Sequence, residues 1–296
     1  MTVTTGHGVT VGKRVRHPAR PEWGIGQVLD VESAKAEVFF VEAGSKLISL
    51  RHVSLAVLHP PPSHPLLDRI DTDAVGGSGY RSISQSIEGF LEAYDGGFYG
   101  ADYLRRERNY KVEAHDLATT ILARAELEPL VASGAFAEIC HRAMRVVNKT
   151  NLIFPNEKMA LKDGLKPAGS QRVFAVALRE LLHGEDDVPS RFQRFAAVLG
   201  NMGAGKWTVA TYFPFLLFPD EHQFIKPTYT KNAATICAFE IGYTPRPDWP
   251  AYERMLRFSN YLKSELAPLK PRDNIDVQSF IWAIAQAWVT RVRRTT

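Results

Sequence analysis

Gly200-Asn-Met-Gly-Ala-Gly205-Lys206 sets three glycines ahead of a lysine, a composition suited to gripping phosphate. Two geometries could use it. A nucleotide-cradling loop needs a buried strand before the first glycine and a Ser or Thr directly after the lysine to reach magnesium. Here Trp207 follows the lysine and Thr208 comes one place late. Phe192, Phe195, Ala196 and Leu199 recur at i, i+3, i+4 and i+7, so the approach reads as helical. The second geometry is a tight turn between two helices. Gly203 and Gly205 would permit close backbone approach and positive φ, while the next helix start would present N–H groups, with Lys206 and Thr208, to a DNA phosphate.

Other residues carry the means to do chemistry. FYGADYLRRERNYK interleaves Phe98, Tyr99, Tyr103 and Tyr110 with Arg105, Arg106, Arg108 and Lys111. Cations for phosphates beside ring faces for unstacked bases suit single-strand or flipped-base binding, and an aromatic core face beside a solvated basic face uses the same residues. PRDNIDVQSFIWAIAQAW opens a helix capped by Asp273 or Asn274, with Val277, Ile281, Ile284 and Trp288 as its apolar stripe. Asp276 falls in the first turn, where a carboxylate gains from the helix dipole or faces a cleft as a reactive anion.

The elements that must position these groups are helical. Ile83, Ile87, Phe90 and Leu91 share one face, and similar stripes cover residues 116–132, 134–147, 171–183 and 190–199. Residues 11–58 differ: short alternating runs broken by Gly, Pro and polar turns predict a small five-stranded SH3-like barrel. HPPPSHP and DTDAVGGSGY predict a linker over 59–80. The expected fold class is therefore mainly α: a small N-terminal β-barrel over 1–58 and a large all-α domain over 81–296.

MGAGKWTVATYFPFLL, FIKPTYTK and RDNIDVQSFIW resemble the helix-hairpin-helix DNA glycosylase superfamily, nearest its 3-methyladenine glycosylase II branch. The resemblance covers residues 120–290. That family has a PGxGxWTA hairpin, an apolar helix, an extended segment bearing a catalytic Asp, a Lys one turn later, and a last helix ending in an aliphatic-Trp pair. Ungapped counting from Trp207 to Lys231 puts Pro227 at the Asp position, flanked by Lys226 and Thr228. The resemblance implies extrusion of a base and cleavage of its N-glycosidic bond, with an anion stabilising the sugar cation or an amine attacking it. Asp276 and Lys226 are then the candidate catalytic residues. Gly203, Gly205, Lys206, Thr208, Arg105, Arg106 and Lys231 are candidate DNA contacts. Asn148 and Asn151 sit where the family inserts a wedge into the vacated stack, although an Asn there also serves as a helix C-cap. Trp207, Tyr229, Phe154 and Glu157 are candidates for the base pocket. The replaced Asp and the added barrel also resemble bacterial anti-phage glycosylases that remove hypermodified cytosine. A catalytically inert DNA-binding adaptor is the alternative that Pro227 favours.

GKRVRHPARPEWGIGQVLDV resembles Tudor-like domains of the CarD type and those ending some repair helicases, which implies docking to RNA polymerase, a helicase or nucleic acid. Its basic residues Lys13, Arg14, Arg16, His17 and Arg20 suit such a partner or a solvated strand edge.

At 296 residues and 45% hydrophobic composition, the chain can bury a large core and a small one. Its net charge of +4 permits nucleic acid without demanding it. Cys140 and Cys237 stand alone without metal-binding spacing, so no metal or other cofactor is expected. No apolar run reaches membrane-spanning length, and MTVTTGHGVTVG lacks the regions of a signal peptide. Double-stranded DNA in the cytoplasm, at the nucleoid, is the expected setting.

Overall fold

A computed structural model of the chain describes residues 2–5, 8–64, 67–69, 83–237 and 239–295. Most of the expected linker, residues 65–66 and 70–80, lies outside the described residues. The protein is mainly α with a small N-terminal β-sheet, as the sequence predicts. Two compact units divide it. The first holds the described residues of Met1–Glu92, Lys231–Ile241 and Trp282–Thr296, and the second Ala93–Thr230 and Gly242–Ile281. The division therefore returns two late helical stretches to the N-terminal unit, which a single boundary near residue 80 does not anticipate.

The first unit is built on an antiparallel sheet of β1 (Thr2–Thr5), β2 (Arg14–Arg16), β3 (Gly26–Glu32), β4 (Lys35–Phe40), β5 (Gly44–Ser49) and β6 (Ala56–His59). The strand order is β1-β6-β2-β3-β4-β5. Five strands from Arg14 onward form the expected antiparallel sheet, in which β6 returns beside β2. β1 adds a sixth, pairing Thr2 with His59 and Thr5 with Ala56. Inward residues alternate as a half-buried sheet requires, giving one core of Val15, Val28, Ala36, Val38, Phe40, Ile48, Leu55 and Val57. Gly26 lies so close to Phe40 that a Cβ would meet its ring at 2.7 Å. Of the basic cluster, Lys13, Arg16 and Arg20 are exposed, whereas Arg14 is buried and paired with Asp68 at 2.7 Å.

Helix α1 (Ile83–Ala93) closes that part of the chain. The helices that follow are α2 (Ala101–Tyr103), α3 (Asn109–Ile121), α4 (Arg124–Ala132), α5 (Phe136–Lys149), α6 (Pro155–Gly164), α7 (Ala168–His183), α8 (Val188–Asn201), α9 (Trp207–Leu217), α10 (Pro227–Ile236), α11 (Trp249–Glu265) and α12 (Asn274–Thr295). The single helix expected over 116–132 is two, because α3 ends at Ile121 and α4 starts at Arg124. Between α2 and α3 the helix is not interrupted but widened: Leu104–Arg108 winds as a π turn, with the Asn109 N–H bonded to the Leu104 carbonyl.

α9 organises the second unit. Every residue from Trp207 to Leu217 is buried, the signature of a helix covered on all sides. α3, α7 and α8 pack around it. Phe174, Phe195 and Phe213 interlock with ring centroids 5.8–6.3 Å apart. The Tyr212 hydroxyl donates to the Val146 carbonyl at 2.8 Å and meets Thr150 Oγ1 at 2.8 Å, tying α9 to the end of α5.

Candidate functional site

The bend between α8 and α9 has the geometry expected of a helical hairpin. Asp187 starts α8 by accepting the Ser190 N–H at 2.9 Å, and the apolar stripe Phe192, Phe195, Ala196 and Leu199 is buried. The turn closes through Gly203 N–H to Gly200 carbonyl at 3.1 Å and Ala204 N–H to Leu199 carbonyl at 2.9 Å. Gly203 is exposed at φ +74°, where a side chain would be strained. A Cβ on Gly205 would lie 2.9 Å from Gly200 Cα, so glycine is needed for the backbones to cross. Lys206, at the tip, is exposed. A helix rather than a strand precedes Gly200, which removes the nucleotide-loop reading.

Two residues beside the bend do not take the roles expected of them. Thr208 is 1% exposed and donates its hydroxyl to Glu157 Oε2 at 2.7 Å, so it is not free to meet a phosphate. Trp207 is also 1% exposed; its indole N–H donates to the Thr244 carbonyl at 2.7 Å and its ring lies among Phe192, Tyr243 and Tyr252. It is a core residue, not a platform for a base. The large apolar ring is worth more buried under α8 than open to solvent.

Four sequence-predicted residues converge nearby. Lys226 immediately precedes α10, and its ammonium lies 4.2 Å from the Phe154 ring centroid and 5.4 Å from that of Tyr229. It makes no hydrogen bond or ion pair with any described residue. Burial lowers its pKa, and the charge of Glu157 opposes that shift. Glu157, at the start of α6, accepts the Phe154 N–H at 3.3 Å and the Thr208 hydroxyl at 2.7 Å, both through Oε2. Phe154 therefore serves both groups, its backbone holding the carboxylate and its ring facing the amine. Phe154 is 45% exposed, so the cradle opens to solvent. It can hold a cation and an anion beside an aromatic surface, with the amine partly desolvated.

Asp276 is elsewhere, and its surroundings correct the expectation that it serves as a reactive anion. Its side chain is 0% exposed. Oδ1 accepts from the Tyr103 hydroxyl at 2.6 Å, Arg108 Nη1 at 2.9 Å and Arg272 Nη2 at 3.1 Å. Oδ2 accepts from the Arg272 backbone N–H and Nε, both at 2.9 Å. Nothing is left to face a substrate, and a buried carboxylate so fully bonded is an anchor. Arg108 also holds Asp273 through two bonds of 2.8 and 2.6 Å. Burial pushes the Asp273 carboxyl up, but these bonds prevail and its pKa falls. Lys111, fully buried, donates to Ser279 at 2.8 Å, and desolvation brings its pKa to about 8. The basic-aromatic stretch thus divides: Tyr103, Arg108 and Lys111 point inward, while Arg105 and Arg106 are exposed and pair with Asp102.

Asn148, in the last turn of α5, and Asn151, just past it, are exposed. Asn148 lines an open groove of 680 Å³ with Met144, Pro155, Lys158 and Met159. Lys231 is exposed on α10 and belongs to the first unit. The anchoring roles of Arg108, Lys111 and Tyr103 escape sequence reasoning. Only the Glu107–Lys111 spacing of four hinted at a pair, found here at 3.5 Å.

A mainly α chain with an N-terminal β-sheet, a helical hairpin and a Glu–Lys–aromatic cradle is the class that fold and geometry define. Residues 9–58, which carry most of the sheet, match a family described as a protein of unknown function (DUF3553). No curated protein and no solved structure gives a significant match. Among the described residues, no helix is long and apolar enough to cross a membrane.

Proposed function

We propose that the protein is a DNA glycosylase that extrudes a damaged or modified base and hydrolyses its N-glycosidic bond, leaving an abasic site. The reading rests first on the bend at Gly203–Lys206, an exposed glycine turn between two helices with a lysine at its tip. The Gly203, Ala204 and Lys206 N–H groups are bonded within the turn, so what it offers to a DNA phosphate is the Gly205 N–H and the exposed Lys206 ammonium. The cradle of Lys226, Glu157, Phe154 and Tyr229 supports it by supplying charged groups beside an open aromatic face, which an extruded base and its sugar require. Arg105, Arg106, Asn148 and Asn151 are further exposed groups suited to the duplex. Base-linked sugars on phage cytosine are one substrate class compatible with an open pocket.

Incubation with duplex DNA alkylated by methyl methanesulfonate, and with phage DNA carrying sugar-modified hydroxymethylcytosine, tests this reading. Alkali-labile sites in either, absent from plain DNA, are the expected result. DNA retarded on a native gel but left intact would favour the second reading, a DNA-binding adaptor whose β-sheet unit docks RNA polymerase or a repair helicase. Pro227 at the position of the family's Asp, with Asp276 locked inside, favours that alternative.

A further inference from the structure

We propose that Glu157 and Lys226 form an acid–base pair for base release, Glu157 supplying the anion that Pro227 cannot. The inference rests on the glycosylase reading above. Glu157 is suited to the sugar side. Its Oε2 is fixed by the Thr208 hydroxyl at 2.7 Å and the Phe154 N–H at 3.3 Å, whereas Oε1 has no hydrogen-bond partner among the described residues. A carboxylate with one oxygen clamped and one free is pre-aimed, which is what stabilising a developing cation requires. Thr208 is itself buried at the start of α9, so the glycine bend and the carboxylate are mechanically joined through one side chain.

Lys226 is suited to the base side. It is held by ring faces alone, which leaves its three N–H donors free. Desolvation lowers its pKa, and that makes the ammonium a better proton donor. The step balances as follows. The N-glycosidic bond breaks with its electron pair going to the base, and the Lys226 ammonium gives that base a proton. Glu157 stabilises the sugar cation and takes a proton from the water that adds at C1′. Solvent returns the proton from Glu157 to Lys226, so the net change is consumption of one water.

The test is single-turnover release from the alkylated duplex and the sugar-modified phage DNA, with affinity for plain duplex measured alongside. Glu157→Gln is expected to slow release by about 100-fold or more, with DNA affinity within about threefold, and to abolish the acidic limb of the pH–rate profile. Glu157→Asp should recover part of the rate, and Thr208→Val should lose about tenfold by loosening the clamp. Lys226→Met should flatten the alkaline limb. Thr208→Val also decides the matter should Glu157→Gln fail to fold. Release by Glu157→Gln at the wild-type rate would overturn the pair and leave the glycosylase reading standing. A borohydride-trapped adduct between Lys226 and DNA would overturn it too, because the lysine would then be a nucleophile. A wild-type chain that releases no base from either DNA removes both readings together.

Discussion

Asp276→Asn separates an anchor from a catalyst. The substitution keeps shape and removes one charge at a side chain that accepts five hydrogen bonds from Tyr103, Arg108 and Arg272. An amide can offer one oxygen, and its NH₂ would face either the Tyr103–Arg108 donors or the two Arg272 donors at close range. Arg108 keeps its two bonds to Asp273, so it remains paired. Arg272 loses its carboxylate, but its side chain is partly exposed and water recovers some of that loss. Breaking one side of a buried pair costs about 3–5 kcal/mol, and the exposure of Arg272 puts the expectation at the lower end, about 3 kcal/mol. In a unit of this size that corresponds to a fall in Tm of about 6–12 °C. Urea denaturation followed by near-ultraviolet circular dichroism reads the change directly, and base release measured well below the new midpoint should be near wild type. A loss under about 1 kcal/mol accompanied by abolished release would refute the reasoning and return Asp276 to the reaction.

Lys206→Gln should weaken duplex binding uniformly across sequences and reduce the salt dependence of log Kd by about one, measured by fluorescence anisotropy at several salt concentrations. Gly203→Ala should cost about 1–2 kcal/mol in urea denaturation, since φ is +74° with open space around it and only backbone strain is at stake. His222 is buried against Tyr252 and desolvation takes its pKa to about 4. The folded state therefore binds that proton less readily than the unfolded chain does. Stability should fall as pH drops from about 6.5 toward 4, by up to about 3 kcal/mol, and His222→Phe should remove that part of the slope.

Periodicity made α8, the glycine bend and the individual strands legible, because each depends on residues within a dozen positions of one another, whereas the return of β6 beside β2 joins Val15 to Val57 and carries no local mark. The fate of Asp276 was not, since the Tyr103 and Arg108 that bind it lie 173 and 168 residues away in sequence. Sequence spacing could place it in the first turn of α12 but could not say which face of that turn is filled. Trp207 was misread for a related reason: an aromatic residue following a functional-looking lysine carries no mark of burial until α9 proves apolar all round. The strand Thr2–Thr5 is a run of threonines around one valine, with none of the apolar alternation that marks the other strands. Phe154, Glu157 and Tyr229 were placed by resemblance alone, and it is Thr208, reaching across 51 residues to Glu157, that ties them to the hairpin.

The π turn at Leu104–Arg108 amounts to one surplus residue in an otherwise continuous helix. Without it, everything downstream would be rotated by about 100° relative to everything upstream. Tyr103 and Arg108, now both directed at the same carboxylate from opposite ends of the swelling, could not then converge on it. A single-codon deletion here would thus be a phase error, felt at the far end of the chain where α12 begins, while an insertion of one helix-compatible residue at an exposed position would restore the count.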